Sequence, residues 1–225
     1  MVTTQSISIL EMATKGGWIM IILLLLSILA LYIFGKKWWV ISQASKIDKD
    51  FMKDIKDYLL DGKIKSAKTL CGKFDSPIAR MIETGIARIG KPLSDIQTAV
   101  DNVGNAEIAR LEKGLPYLAT IAGGAPMLGF LGTVTGMVKA FFNMANAGNN
   151  IDISLLSGGI YEAMITTVGG LIVGIIAYFA YNFLTAKVSD VVFKMENATI
   201  EFMDLLSEQP QINSENEEYG TEKNS

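Results

Sequence analysis

Residues Ala125–Met137 read APMLGFLGTVTGM, and residues Gly158–Gly174 read GGIYEAMITTVGGLIVG. Both lie in apolar runs long enough for a bilayer, yet both carry small and hydroxylated residues that a plain anchor does not need. In lipid, glycine and alanine let helix backbones approach closely, and buried threonines give helices a polar group to share. The two stretches therefore predict helices that pack tightly around a few polar groups and line a pathway.

Working outward, the flanking charges delimit two spans. The stretch from Lys113 to Lys139 contains no charge, and a second transmembrane helix is predicted over 115–142. That exceeds the ~20 residues needed to cross, so it tilts or projects. Pro126 is internal and is expected to kink it by removing a backbone donor. A third span is predicted over 160–182. Glu162 falls in its outer part, where a carboxyl group is costly unless it faces protein or water. On a helix Glu162, Thr166, Gly169, Gly170 and Val173 share one face, and Thr167 is turned about a third of a turn away. Glu162 is then either a structural partner at a helix interface or part of an ion path. Lys139, near the outer end of the second span, either snorkels to the interface or has an ion-attracting or charge-partner role, with Glu162 as one candidate partner.

The first span is Gly17–Phe34, GWIMIILLLLSILALYIF, predicted as a transmembrane helix over 17–35. It covers most of a ~30 Å hydrocarbon core. Trp18 and the Trp38-Trp39 pair stand at its ends, where aromatic rings favour the interface. A Lys-Lys-Trp-Trp flank in place of a small-residue cleavage site argues for an uncleaved signal anchor. Residues 1–16 are read as a periplasmic amphipathic segment lying on the outer interface.

Charge sets the orientation. Residues 36–113 hold 15 Lys/Arg against 11 Asp/Glu, and 143–159 hold no Lys or Arg. The positive-inside rule then makes 36–114 a cytoplasmic helical domain and 143–159 a periplasmic loop, with the N-terminus outside and the C-terminus inside. Inside, Phe51, Ile55 and Leu59 mark a helical stripe ending near Gly62, a short helix spans 63–71, Ser76-Pro77 opens another, and Leu93–Leu111 carries Ile96, Val100 and Val103 on one face. Beyond Asn182 the apolar pattern continues to Leu206, so 183–206 is predicted as a cytoplasmic extension of the third helix. Residues 207–225 are polar and acidic and are expected to form a disordered tail. The fold class is thus an all-α membrane protein with three transmembrane helices, the second and third extended into a helical cytoplasmic domain.

Composition narrows the chemistry. Half of the 225 residues are hydrophobic, and the net charge of −3 gives no reason to expect a nucleic-acid partner. A single cysteine, Cys71, forbids an internal disulfide, and the absence of histidine removes His-bearing zinc sites, Ser-His triads and histidine proton relays. No phosphate loop, metal cluster or activated nucleophile is present in the sequence, so neither enzyme activity nor a cofactor is expected. Proton chemistry would fall to carboxylates, lysines or hydroxyl-bound water.

The order GGWIMIILLLLS, helical insertion, APMLGFLGTVTGMVKAF, GGIYEAMITTVGGLIVGI resembles the ExbB/TolQ/MotA proton-channel family, and ExbB most closely, over about residues 5–206. The resemblance implies a subunit of an ion-driven inner-membrane motor. Such subunits form a homopentamer around the membrane helices of a smaller single-span partner similar to ExbD, TolR or MotB. Proton flow then energises outer-membrane import through a TonB-like protein, or envelope maintenance. By position in the motifs, Thr133 and Thr167 match pore-facing threonines and Glu162 the family's membrane glutamate. Lys139 departs from the pattern. The insertion is shorter than in the MotA branch, which disfavours a MotA-like role relative to an ExbB-like or TolQ-like one.

No carboxylate occurs between Glu112 and Asp152 or between Glu162 and Asp190. A mid-membrane proton acceptor would therefore belong to the partner, an aspartate by the resemblance. Two other classes stay open at this level: a scaffold that conducts nothing, and a small secondary transporter, for which three spans without repeats leave little room. The sequence leaves the ion, H⁺ or Na⁺, open.

Overall fold

A computed structural model of the chain describes residues 17–46, 50–146 and 153–222, with side chains excepted at 153–155 and 208–222. Seven helices account for it: α1 (Gly17–Ala44), α2 (Phe51–Leu60), α3 (Ile64–Cys71), α4 (Pro77–Ile86), α5 (Leu93–Glu112), α6 (Leu115–Asn146) and α7 (Ile153–Glu222). No strand occurs among the described residues, and three helical stretches are long and apolar enough to cross a membrane. The protein is an all-α membrane protein whose long helices run beyond their spans. The expected amphipathic segment 1–16 lies outside the described residues.

The short helices have legible causes. Ser76 caps α4 by accepting from the Ala79 N–H, and Pro77 occupies the first turn, where its missing donor costs nothing. After α2, Gly62 turns left-handed at φ 67°. There the Lys63 N–H reaches Tyr58 O and the Gly62 N–H reaches Leu59 O, the paired bonds of a glycine C-terminal stop. Gly114, at φ 101°, separates α5 from α6. Any other residue would be strained there.

Several boundaries differ from those drawn on sequence. α1 continues to Ala44 rather than stopping at 35, and residues 143–146 and 153–159 of the expected loop are helical. α7 runs as helix through Glu222, and among the residues whose side chains are described its apolar stripe stays buried as far as Leu206.

The chain divides into two compact units. The membrane unit comprises residues up to Lys37 together with Gly114–Leu184, and thus the apolar parts of α1, α6 and α7. Ile19, Leu23, Leu118, Ala125, Ala163 and Ala177 are buried in it, whereas Leu25, Phe130 and Ile172 are exposed, as suits a surface solvated by lipid. The second unit comprises Trp38–Lys113 and the part of α7 from Thr185 onward. Its core is built of Phe51, Ile55, Ile82, Ile86, Val100, Val191, Met195 and Phe202. The Phe202 ring lies so close to Gly85 that a Cβ there would stand 2.3 Å from Cε1. Arg80 clamps α4 to α5 through a two-pronged pair with Glu107, at 2.8 and 2.7 Å, and also pairs with Asp75. The Glu107 carboxylate is the main reason the Arg80 guanidinium holds its proton even more firmly than usual.

Candidate ion-pathway residues

α6 and α7 meet along a line of small residues, because nothing larger fits. A Cβ on Gly129 would stand 2.8 Å from Thr166 O, and one on Gly170 would stand 2.5 Å from Ala125 O and 2.9 Å from the Gly129 Cα. Gly136 faces Ala163, and Gly159 faces Ala140. Gly174 seats against the Pro126 ring, where a Cβ would be 2.5 Å from Cγ and 3.0 Å from Ala122 O. Pro126 has no N–H to give that carbonyl, so the close approach falls where the α6 backbone is least satisfied by its own helix.

This proximity brings Thr133 and Thr167 together. Their hydroxyl oxygens are 3.2 Å apart and half-buried. Thr133 donates to Phe130 O at 2.6 Å, within its own helix, whereas Thr167 donates across the interface to Gly129 O at 3.1 Å. The neighbouring Thr166 is buried, 2% exposed, and donates to Ala163 O at 2.7 Å. Of the adjacent Thr166 and Thr167, only Thr166 bonds back along its own helix by the bonds observed.

Glu162 is not bonded to either member of the Thr133–Thr167 pair. It lines a pocket of about 110 Å³ with Trp18, Gly132, Thr135, Lys139 and Thr166. Its carboxylate lies beside Gly17, where a Cβ would be 2.6 Å from Oε1. Lys139 lines the same pocket, but no ion pair joins it to Glu162 among the described residues. The sequence reading named Thr133, Thr167, Glu162 and Lys139 separately, and the structure pairs the two threonines and puts Lys139 and Glu162 on one pocket. The sequence missed three contributors: the Gly129 carbonyl, the Thr135 hydroxyl and Gly17. The GTVTG repeat carried the only signal for Thr135, and no sequence pattern pointed to the other two.

A family model described as the MotA/TolQ/ExbB proton channel family matches residues 73–197. The match covers both threonines, Glu162 and the small-residue interface. The chain belongs to this family. Relatives agree with the assignment. An ExbB-like biopolymer transport protein of Synechocystis sp. is 30% identical over 185 residues, 81% of this chain and 73% of that protein. The TolQ protein of the Tol-Pal system of Haemophilus influenzae is 37% identical over 105 residues, 47% of this chain and 46% of that protein. The biopolymer transport protein ExbB of Neisseria gonorrhoeae is 41% identical over 75 residues, 33% of this chain and 34% of that protein. As a MotA/TolQ/ExbB family member with three candidate spans, the chain is a multi-pass inner-membrane protein and a proton-channel subunit. MotA/TolQ/ExbB proteins are channel and transport proteins rather than enzymes, and they work with partner proteins in the membrane.

Proposed function

We propose that this chain is the pore-forming stator subunit of an ExbB-like, proton-driven motor. It assembles as a homopentamer around an ExbD-like single-span partner and passes work to a TonB-like protein for outer-membrane transport. Its N-terminus is periplasmic and its C-terminus cytoplasmic, as the lysine-rich 36–113 segment and the Lys/Arg-free 143–159 loop favour. The observation that carries the reading is the Thr133–Thr167 pair in spans with no mid-membrane carboxylate of their own.

The chemistry follows from the hydroxyls. Two protons serve three acceptor contacts, those to Phe130 O, Gly129 O and the other hydroxyl. Each hydroxyl oxygen keeps lone-pair capacity. The pair can accept a hydrogen bond from a protonated carboxyl group, and a water can take its place once the proton has left. A partner aspartate moving past the pair would then be loaded on one side of it and unloaded on the other. Gly174 of α7 closes on the Pro126 ring of α6, about two helical turns from the threonine pair.

Replacing hydroxyl by methyl keeps the shape and removes the lone pairs. Thr133→Val and Thr167→Val are each expected to lower partner-dependent proton flux in proteoliposomes at least tenfold, with the oligomer intact by size-exclusion. Wild-type flux in both would defeat the proposal. A TolQ-like role in a Tol system is an equal second reading, favoured by the identity to the Haemophilus protein. Rescue of a TonB-system deletion but not a Tol deletion would decide for the first.

A further inference from the structure

A cleft of about 230 Å³ in the second unit holds a row of alternating charge. Glu107 receives both prongs of Arg80, Arg80 also pairs with Asp75, and Arg110 stands 3.8 Å from Glu107. The row therefore runs from an acid, Asp75, through Arg80 and Glu107 to a base, Arg110. Its middle is drawn in, with the Glu107 side chain 12% and that of Arg80 31% exposed. Its ends are open, with Asp75 79% and Arg110 66% exposed. Arg80 takes only Oδ1 of Asp75, and a carboxylate can accept at both oxygens. Across the row the charges cancel.

The chain sets the depth of this cleft. α1 is one helix from Gly17 to Ala44, and its apolar run ends at Phe34. Trp39, in the wall of the cleft, follows five residues later, about 7–8 Å further along the axis. The polar layer flanking a ~30 Å hydrocarbon core is about 5–7 Å thick on each side. In the opposite wall, Leu111 comes four residues before α6 begins at Leu115. The cleft therefore lies at the level of phospholipid headgroups. Trp39 is 68% exposed there, in the layer that indole rings favour.

We propose that this cleft binds the headgroup of an aminophospholipid, a phosphatidylethanolamine. Its primary ammonium donates to Asp75 and its phosphate accepts from Arg110, so the headgroup lies antiparallel to the row. Trp39 and Leu111 meet the glycerol and the first acyl carbons. A zwitterion matches a cleft whose two acids and two bases cancel. A purely anionic headgroup brings Asp75 no cation, and phosphatidylcholine has no N–H to donate to it. Lys36 and Lys37 attract anionic lipid to this side of the membrane whatever the cleft holds. Headgroup selection, rather than charge attraction, is thus the signature of the site.

The test offers the full chain, purified in detergent, dioleoyl lipids that differ only in headgroup, and counts retained lipid by native mass spectrometry. Phosphatidylethanolamine is expected to be retained about fivefold over phosphatidylcholine and phosphatidylglycerol, the upper end of what one exposed ion pair provides. Asp75→Asn should reduce it to the level of phosphatidylcholine, and Asp75→Glu should keep the preference. Arg110→Gln should lower retention of both zwitterionic lipids together. A wild type that retains either other lipid as well as phosphatidylethanolamine overturns the proposal, as does a preference that survives Asp75→Asn. If Asp75→Asn does not fold by circular dichroism, Arg110→Gln decides, and unchanged retention in it overturns the proposal. Glycerophosphoethanolamine, the same headgroup without acyl chains, should displace the lipid only at far higher concentration. Displacement at equal concentration would make this a site for a free solute and overturn the lipid assignment.

Discussion

The two units of this protein solve the same packing problem with opposite materials. The membrane unit joins α6 to α7 through Gly129, Gly132, Gly136 and Gly170, with backbone against backbone and hydroxyls across the seam. The second unit fills its interior with Phe51, Ile82, Met195 and Phe202 and ties α4 to α5 with the Arg80–Glu107 pair. Their surroundings explain the difference. In water, large apolar side chains drive association because burial removes them from solvent. In lipid that force is absent between helices, and close approach with shared polar groups must replace it. Thr133 and Thr167 therefore meet where side chains are smallest.

The comparison can be broken most severely in the second unit. Phe202→Ala empties a fully buried ring site and is expected to cost about 3–5 kcal/mol, read by thermal unfolding of that unit's helices. A cost below about 1 kcal/mol would mean that this core does not depend on large side chains. The reciprocal change in the membrane unit adds a single methyl. Gly170→Ala places its Cβ against the Ala125 carbonyl and Gly129 Cα, atoms that cannot swing aside. It should cost about 1–3 kcal/mol and separate Thr133 from Thr167, which partner-dependent flux would report. Gly123→Ala, at a glycine with nothing within 4 Å of such a Cβ, is the matched control and should change neither.

The smallest effect concerns Cys71, buried in the second unit, whose thiol is pushed up to about 12 by burial. The folded state holds this proton more tightly than the unfolded one. Its contribution is therefore fully present below about pH 9, the ordinary value, and is lost as pH rises towards 12. At pH 8 the native protein should resist maleimide and label fully once denatured. Rapid native labelling would show that this core opens readily.

Much of the candidate site was readable in the chain. A charge-free run from Lys113 to Lys139 and a glutamate at membrane depth announce spans two and three from composition alone. The Ser76-Pro77 start and the Gly62 stop were legible because capping depends on a few adjacent residues. The division of labour between Thr166 and Thr167 was not. The two are adjacent, and the rotation of α7 about its axis decides which hydroxyl meets Thr133, that of Thr167 at 3.2 Å, and which bonds back to Ala163 O, that of Thr166 at 2.7 Å. That rotation is set by glycines far away in sequence on α6.

The sequence by itself therefore determined which segments are apolar enough to cross a membrane, how many there are and where the titratable side chains fall along them, since these follow from polarity and length. Only the tertiary structure decided which of those residues meet. It set the threonine pair apart from the Glu162 pocket and gave Lys139 its place in that pocket's wall. The physical reason is that helix contact depends on axial rotation and backbone separation. Both are fixed by steric exclusion between distant glycines and carbonyls, and no local pattern encodes that.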